Sequence, residues 1–205
     1  MEVSARMIAD SLYLENKVIR VGFSRRTGAL MQIEDKLRGC QHLQGDEQSV
    51  PFRLARQGGQ MQGAYRVFDF EQREGSLTLH WSLSGCRLEA TVTLLNDGLS
   101  FSFLLTGPGA AKYHAVEYPI LGALSSWGQE SYLAHAYATG LLMRNPAAHL
   151  PARGRLRFCP YPEGFSGATM QFMAYYHPGK GGLYLAAEDG QARQKWLNAY
   201  THRGS

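Results

Sequence analysis

Carboxylic acids in the second half of the sequence are the first residues whose chemistry could act on a sugar. Hydrolysis of a glycosidic bond uses two carboxyl groups about 5 to 10 Å apart, placed around the bond. Four acids are candidates for such a pair: Glu117, Glu163, Glu188 and Asp189. Turns favour acidic residues for structural reasons, which is the simpler interpretation of Glu163, next to Pro162, and of Asp189. The spacing singles out no pair, so no catalytic residue is predicted.

Aromatic residues are the second feature, because the apolar face of a sugar ring stacks on an exposed aromatic ring. Five are candidates: Trp127, Tyr161, Tyr175, Tyr176 and Trp196. Tyr161 has the strongest expectation of exposure, since it lies in a loop beside Pro162. Gln171 is a polar residue in an apolar segment and needs hydrogen-bond partners if it is buried, so it would brace a loop or reach toward a sugar. The predicted substrate-binding residues are Tyr161, Glu163, Gln171 and Trp127.

Other chemistries find little support in the residue pattern. The three cysteines, Cys40, Cys86 and Cys159, form no CxxC pair, and the seven histidines form no HExxH motif, so no metal site is expected. No motif for a nucleotide cofactor is present either, and the prediction is that no cofactor is bound. A mutarotase or epimerase, which would combine a histidine acid with a glutamate base, stays an alternative.

Composition indicates a globular protein. The chain has 205 residues, of which 44% are hydrophobic and 19% charged, with a net charge of +4. Basic residues never form a run longer than Arg25-Arg26, so no nucleic-acid partner is predicted. No apolar run reaches membrane-spanning length, and residues 1–10 lack the apolar centre of a signal peptide. We therefore expect a cytoplasmic protein with reduced thiols and no membrane association.

Short strands are the elements that must position these side chains. Residues 77–105 alternate apolar and polar side chains in three runs separated by Ser84-Gly85 and by Asn96-Asp97-Gly98. This period of two predicts an antiparallel meander that is buried on one face and wet on the other. His80 is expected at the surface, on the wet face.

A second hairpin is predicted near the C-terminus. Two apolar runs, residues 169–176 and 182–187, flank Pro178-Gly179-Lys180-Gly181, which is turn chemistry. Both runs are apolar throughout, so we expect this hairpin in the middle of a sheet. No segment combines helix caps with helical periodicity. The sequence thus predicts an all-β fold, an antiparallel twisted β-sandwich, with one domain over residues 1–205.

Several short motifs follow one another in a recognisable order. They are residues 14–16, 19–21, 27–30, 33–36, 116–121, 140–146, 161–162, 170–176 and 181–189. The most specific stretch is Tyr161-Pro162 followed by residues 170–176 and 181–189. Together they resemble the N-terminal β-sandwich of glycoside-hydrolase-like proteins in which a (β/α)₈ barrel follows, the group allied to endo-α-N-acetylgalactosaminidases.

The resemblance implies a galactose-mutarotase-like supersandwich that packs on a catalytic barrel of the same protein and frames its carbohydrate substrate. In that family further strands and the barrel follow the Glu-Asp turn, whereas this sequence ends at Ser205. The sheet is then expected to be incomplete and the chain alone to be non-catalytic. An open strand edge near the C-terminus would allow a homo-oligomer. An independent carbohydrate-binding module is the alternative function.

Overall fold

The protein was analysed as a computed structural model. It describes residues 4–8, 10–46, 49–56, 61–62, 65–122, 124–150, 156–157, 160–162 and 167–199. Strands hold 57% of these residues and helices 6%, which confirms the predicted all-β class. Within the same residues, no helix has the length and apolar character needed to cross a bilayer.

Two compact units divide the chain, Met1–Ser125 and Ser126–Ser205. The single domain expected over residues 1–205 stays a prediction. The strands of the first unit are β1 (Ser4–Ile8), β2 (Ser11–Glu15), β3 (Ile19–Ser24), β4 (Leu30–Asp35), β5 (Cys40–Gln44), β6 (Arg53–Arg56), β7 (Met61–Gln62), β8 (Val67–Arg73), β9 (Ser76–Leu83), β10 (Cys86–Leu94), β11 (Leu99–Thr106) and β12 (Tyr113–Glu117). A single 3₁₀ turn, Ala110–Lys112, precedes β12.

Three antiparallel sheets make up this first unit. Their strand orders are β1-β2-β3-β4-β5, β11-β10-β9-β8 and β12-β6-β7. The predicted meander of residues 77–105 is confirmed as β9, β10 and β11, which pair in sequence order. The alternation of side chains explains this register. One face is buried and carries Leu79, Trp81, Leu88 and Val92. On the other face Thr78 lies opposite Thr91, with their hydroxyl oxygens 3.4 Å apart.

The five-stranded and four-stranded sheets pack face to face, and their apolar faces form the core. Trp81 of β9 lies at the centre, with its ring centroid 5.1 Å from that of Phe52 and 5.6 Å from that of Phe68. Its indole N–H donates to the carbonyl oxygen of Thr27, in the turn between β3 and β4, at 2.8 Å. The buried Asn16 side chain joins the same two sheets by donating to the carbonyl oxygen of Leu95 at 2.9 Å. The first unit is thus a two-layer β-sandwich.

His80 lies on the predicted face of the meander, but the expectation of a surface histidine is wrong, since only 9% of the residue is exposed. Its ring nitrogens lie 3.2 Å from a carboxylate oxygen of Glu89 and 3.7 Å from one of Glu71. These two acids come from the neighbouring strands β10 and β8 and cover the ring.

The second unit is built around one sheet. Its elements are a 3₁₀ turn (Gly128–Glu130), β13 (Tyr132–Tyr137), β14 (Leu141–Arg144), α1 (Pro146–His149), β15 (Leu156–Arg157), β16 (Ala168–His177), β17 (Gly181–Ala186) and β18 (Asn198–Ala199). Four strands form the antiparallel order β14-β13-β16-β17, and β15 pairs with β18. The C-terminal hairpin is confirmed as β16 and β17. The hairpin was expected in the middle of a sheet. This is correct for β16, which is internal, and wrong for β17, which lies at the edge.

Candidate functional site

One face of the four-stranded sheet in the second unit is lined by aromatic and aliphatic side chains. Strand residues two apart point to the same side, and directly opposite residues share that side. The pairings Leu142–Ala134–Ala174–Tyr184 and Arg144–Tyr132–Tyr176–Gly182 therefore run across this side of the sheet. We call it the aromatic face and define it by Tyr132, Leu142, Phe172, Tyr176 and Tyr184.

Four rings on the aromatic face form two stacked pairs. Tyr132 and Tyr176 lie with ring centroids 5.5 Å apart and planes 19° apart. Phe172 and Tyr184 have the same centroid distance and an angle of 29°. Tyr184 is 68% exposed, and Leu142 beside the rings is 61% exposed. Large apolar residues usually lie buried in a core. A cluster of them on the surface is therefore typical of an interaction site.

Small residues separate the two ring pairs. Ala174 lies between Phe172 and Tyr176 on β16, and its opposite neighbour on β13 is Ala134. The two aromatic positions on β16 are four residues apart, about 13 Å along the strand. The methyl groups of Ala174 and Ala134 therefore lie between these two aromatic positions.

Gly182 keeps one side of the Tyr132–Tyr176 pair open. It stands directly opposite Tyr176, and a Cβ at this position would collide with the Cβ and the backbone of Tyr176. Only glycine allows this close approach of β17 to β16, and it places no side chain beside the ring. At the other end, Arg144 opposite Tyr132 forms an ion pair with Glu130.

The opposite face of the same sheet is more enclosed, and Leu133 and His135 are buried on it. Trp127 stacks on Tyr175 of β16 with a centroid distance of 5.2 Å and planes only 5° apart. The His177 ring meets the Trp127 ring edge-on, with ring centroids 6.2 Å apart. Trp127 thus has one ring face engaged by Tyr175, and it lies on the side of the sheet away from the aromatic face.

Tyr161 and Gln171 belong to a polar cluster at the other end of β16. The Gln171 amide donates to the backbone carbonyl of Asp189 at 3.4 Å, and the Lys195 ammonium donates to the Asp189 carboxylate at 3.0 Å. The same ammonium lies 5.0 Å from the centroid of the Tyr161 ring. Tyr161 and Lys195 also exchange two backbone hydrogen bonds of 2.9 Å. We call these four residues the Lys195 cluster.

Electrostatics make the Lys195 cluster a structural brace. The hydrogen bond from Lys195 lowers the pKa of Asp189, and the backbone amides of Gln191 and Arg193 act in the same direction. Asp189 therefore holds the turn after β17 as a carboxylate, in the structural role expected from the sequence. Gln171 braces this loop, as one of its two predicted roles requires. Its side-chain oxygen is buried and has no hydrogen-bond partner within the described part of the chain.

The predicted binding residues do not form one site. The structure brings Tyr161 and Gln171 together through Asp189 and Lys195. Trp127 packs against Tyr175, which is four residues from Gln171 on β16, about 13 Å along the strand. Glu163 lies outside the described residues. One face of the Tyr161 ring is occupied by Lys195, so Tyr161 is a weaker platform than its loop position suggested.

Sequence reasoning missed Tyr132, Phe172 and Tyr184, although it included Tyr176 among the aromatic candidates. A usable signal was present, because Phe172, Tyr176 and Tyr184 all have even numbers in a hairpin with even-to-even pairing. Such residues share a face. The apolar residues on the other face of the hairpin hid this pattern.

Burial shifts the pKa of Cys86 in the first unit and of His135 in the second. Cys40 and Cys86 are free thiols, and burial raises the pKa of Cys86. Burial also lowers the pKa of His135, which favours its neutral form. No group of three or more histidine, cysteine, aspartate or glutamate residues within the described ranges is arranged to hold a metal ion.

Comparison with known proteins adds no relative. The chain matches no protein-family model, no curated protein and no solved structure. The resemblance to the sandwich domain of glycoside-hydrolase-like proteins therefore stays a prediction from the sequence motifs. The geometry of the aromatic face and of the Lys195 cluster is what bears on function.

Proposed function

We propose that this chain is a non-catalytic β-sandwich domain of a carbohydrate-active glycoside hydrolase, and that its aromatic face contacts the carbohydrate. One observation carries the proposal: two stacked aromatic pairs line one face of the sheet, with the mostly exposed ring of Tyr184 among them and alanines between the aromatic positions of β16. Sugar rings have flat apolar faces that match such platforms. The catalytic barrel of the same protein is the proposed partner, as the motif resemblance implies.

The ion pairs of Glu117 and Asp189 support a framing role over catalysis. Glu117 lies 3.0 Å from the guanidinium of Arg53, and Asp189 lies 3.0 Å from the ammonium of Lys195. Each carboxylate is thereby committed to a cation that also orients it. The hydrogen bond from Lys195 lowers the pKa of Asp189, whereas a general acid would need a raised pKa.

The charge of the aromatic face favours a neutral sugar. Across the two pairing rows of the aromatic face, Arg144 carries the one charged side chain. Its guanidinium already forms an ion pair with Glu130. An acidic sugar would find no free cation in those rows. Neutral glycans are therefore the proposed ligands, and the predicted absence of nucleic-acid partners and cytoplasmic location stay predictions.

Electrophoresis through gels containing neutral polysaccharides tests the sugar contact, because retardation detects weak binding to a polymer. We expect retardation of the wild-type chain and loss of about tenfold in affinity, about 1.4 kcal/mol, in the variants Tyr132→Ala and Tyr176→Ala. Phe103→Ala is the matched control, since Phe103 is an exposed aromatic residue of the first unit. Equal retardation of all four proteins, or none with any neutral glycan, would overturn the proposal.

The strength of binding distinguishes a framing domain from an independent binding module. The aromatic face favours the binding module as well. A binding module should give a measurable heat of binding with short oligosaccharides in calorimetry. A framing domain should be retarded by polymer but give no such heat, because the barrel supplies the remaining contacts.

A further inference from the structure

Strand β17 has an open side. It is the outermost strand of its sheet within the described part of the chain. The amide of Ala187 donates to the carbonyl of Gln171 on β16 at 2.8 Å. In an antiparallel ladder, alternate residues point their backbone groups to opposite neighbours. Gly182, Tyr184 and Ala186 therefore direct their N–H and C=O groups away from β16. Such a row is a template for another β-strand.

This edge lacks the features that usually block pairing. Gly181–Ala186 contains no charged residue and no proline. The edge strand β8 of the first unit shows the contrast, since Asp69, Glu71 and Arg73 alternate along it. Charged side chains on an edge disfavour the approach of a second strand. The open side of β17 is thus suited to pairing.

We propose that β17 pairs with β17 of a second copy of this chain, antiparallel, about a two-fold axis perpendicular to the sheet. Directly opposite residues must point to the same side, and a perpendicular axis keeps the two aromatic faces on one side. The outward groups then fix the register, with Tyr184 opposite Tyr184 of the other copy and Gly182 opposite Ala186. This register forms about six backbone hydrogen bonds.

Self-complementarity identifies the partner as a second copy. Small residues, Gly182 and Ala186, face each other on both sides of the axis, so the bulky Tyr184 rings meet only at the centre. Each Tyr184 already stacks on Phe172, so pairing joins two apolar surfaces into one and removes part of an exposed aromatic patch from water. The proposal is independent of whether the face binds sugar.

Sedimentation equilibrium of the full chain over a concentration series tests the pairing. We expect the wild-type mass to rise toward twice the monomer mass of 22.8 kDa. Tyr184→Lys and Tyr184→Glu should each stay monomeric, because position 184 faces itself and like charges would then be opposed. An equal mixture of the two variants should regain the doubled mass, because a lysine then faces a glutamate.

The matched control is Leu104→Lys, which changes an exposed residue on the uncharged edge strand β11 of the first unit. It should associate like the wild type. A monomeric wild type, association of either single variant, or an equal mixture that stays monomeric would overturn the proposal. Amide hydrogen exchange gives a reading without mutation. Exchange at Gly182, Tyr184 and Ala186 should slow as wild-type concentration rises, and constant exchange would contradict the pairing.

Discussion

The two four-stranded sheets of this protein use their outer faces differently. In the first unit, the outer face of β8 to β11 carries polar groups, such as the contacting hydroxyls of Thr78 and Thr91. In the second unit, the corresponding surface of β14-β13-β16-β17 carries stacked tyrosine and phenylalanine rings. Both are antiparallel sheets with a more buried opposite face. Sheet geometry alone therefore does not account for the aromatic face.

This difference distinguishes residues whose burial stabilises the fold from exposed residues that are available for contact with another molecule. The buried faces of the first unit hold Trp81, Phe52 and Phe23, which are removed from water almost completely. Burial of such side chains contributes about 1.5 to 3 kcal/mol each. Tyr184 and Leu142 remain mostly in water and contribute far less. The proposals above assign their apolar character to association with another molecule, and the four predictions below test the contrast between buried and exposed residues.

The largest effect is expected at the centre of the first core. Trp81→Ala removes a fully buried ring packed on Phe52 and Phe68, together with its hydrogen bond to Thr27. The free energy of unfolding should fall by about 4 kcal/mol, because the ring leaves a cavity. Urea unfolding followed by circular dichroism measures this change.

Val67→Ala is the control on the neighbouring strand, since Val67 is 59% exposed. It should change stability by less than about 0.5 kcal/mol. A similar loss in both variants would show that the burial contrast between the two positions does not govern stability.

The features that alternation governs were predictable from the sequence. The meander β9, β10 and β11 follows from runs of period two separated by Ser84-Gly85 and Asp97-Gly98, and the C-terminal hairpin follows from Pro178-Gly179. Local chemistry decides both, because a turn sequence and a side-chain period need no distant partner.

Features set by distant residues were not predictable. His80 is covered because Glu71 arrives from another strand, and Tyr161 is covered because Lys195, 34 residues away, lies over its ring. The hairpin was expected within a sheet because both its faces are apolar. Apolar character, however, does not reveal which strand lies at an edge, since an edge used for contact is apolar as well.

Two glycines with positive φ test how closely the turn between β3 and β4 packs on the aromatic core of the first unit. Gly28 and Gly39 both have a positive φ, +72° and +61°. A Cβ at Gly28 would lie 2.5 Å from Phe68 and 2.6 Å from Trp81, whereas a Cβ at Gly39 would meet nothing within 4 Å. Gly28→Ala should therefore cost about 3 kcal/mol, from conformational strain and overpacking together.

Gly39→Ala is the matched control, because it carries the conformational strain without the clash. It should cost about 1 kcal/mol in the same urea assay. If both substitutions cost the same, the turn between β3 and β4 is not held against the aromatic core.

Burial lowers the pKa of two histidines in the described part of the chain, His42 in the first unit and His135 in the second. Below the ordinary histidine pKa of 6.5, the unfolded chain binds protons that the folded chain does not. Stability should fall as pH drops from 6.5 toward the folded pKa values, by up to about 1.4 kcal/mol per pH unit and histidine, and stay flat just above 6.5.

Urea midpoints at pH 7.5 and 5.5 measure this dependence. His114→Gln is the control, since His114 is exposed, and it should leave the difference between the two midpoints unchanged. Equal or higher stability at pH 5.5 would contradict neutral burial of these histidines. The carboxylates with lowered pKa, Asp35 and Asp189, act only below about pH 4 and do not interfere in this window.

The smallest effect is expected on the aromatic face. Leu142→Ser and Met170→Ser replace apolar residues that are mostly exposed on the second sheet, so each should change the free energy of unfolding by less than about 0.5 kcal/mol. Leu133→Ser, on the buried side of the same sheet, should cost several times more, because it puts a hydroxyl where a leucine packs. A large loss from either exposed substitution would place the aromatic face within the folding core and remove the reason to regard it as a contact surface.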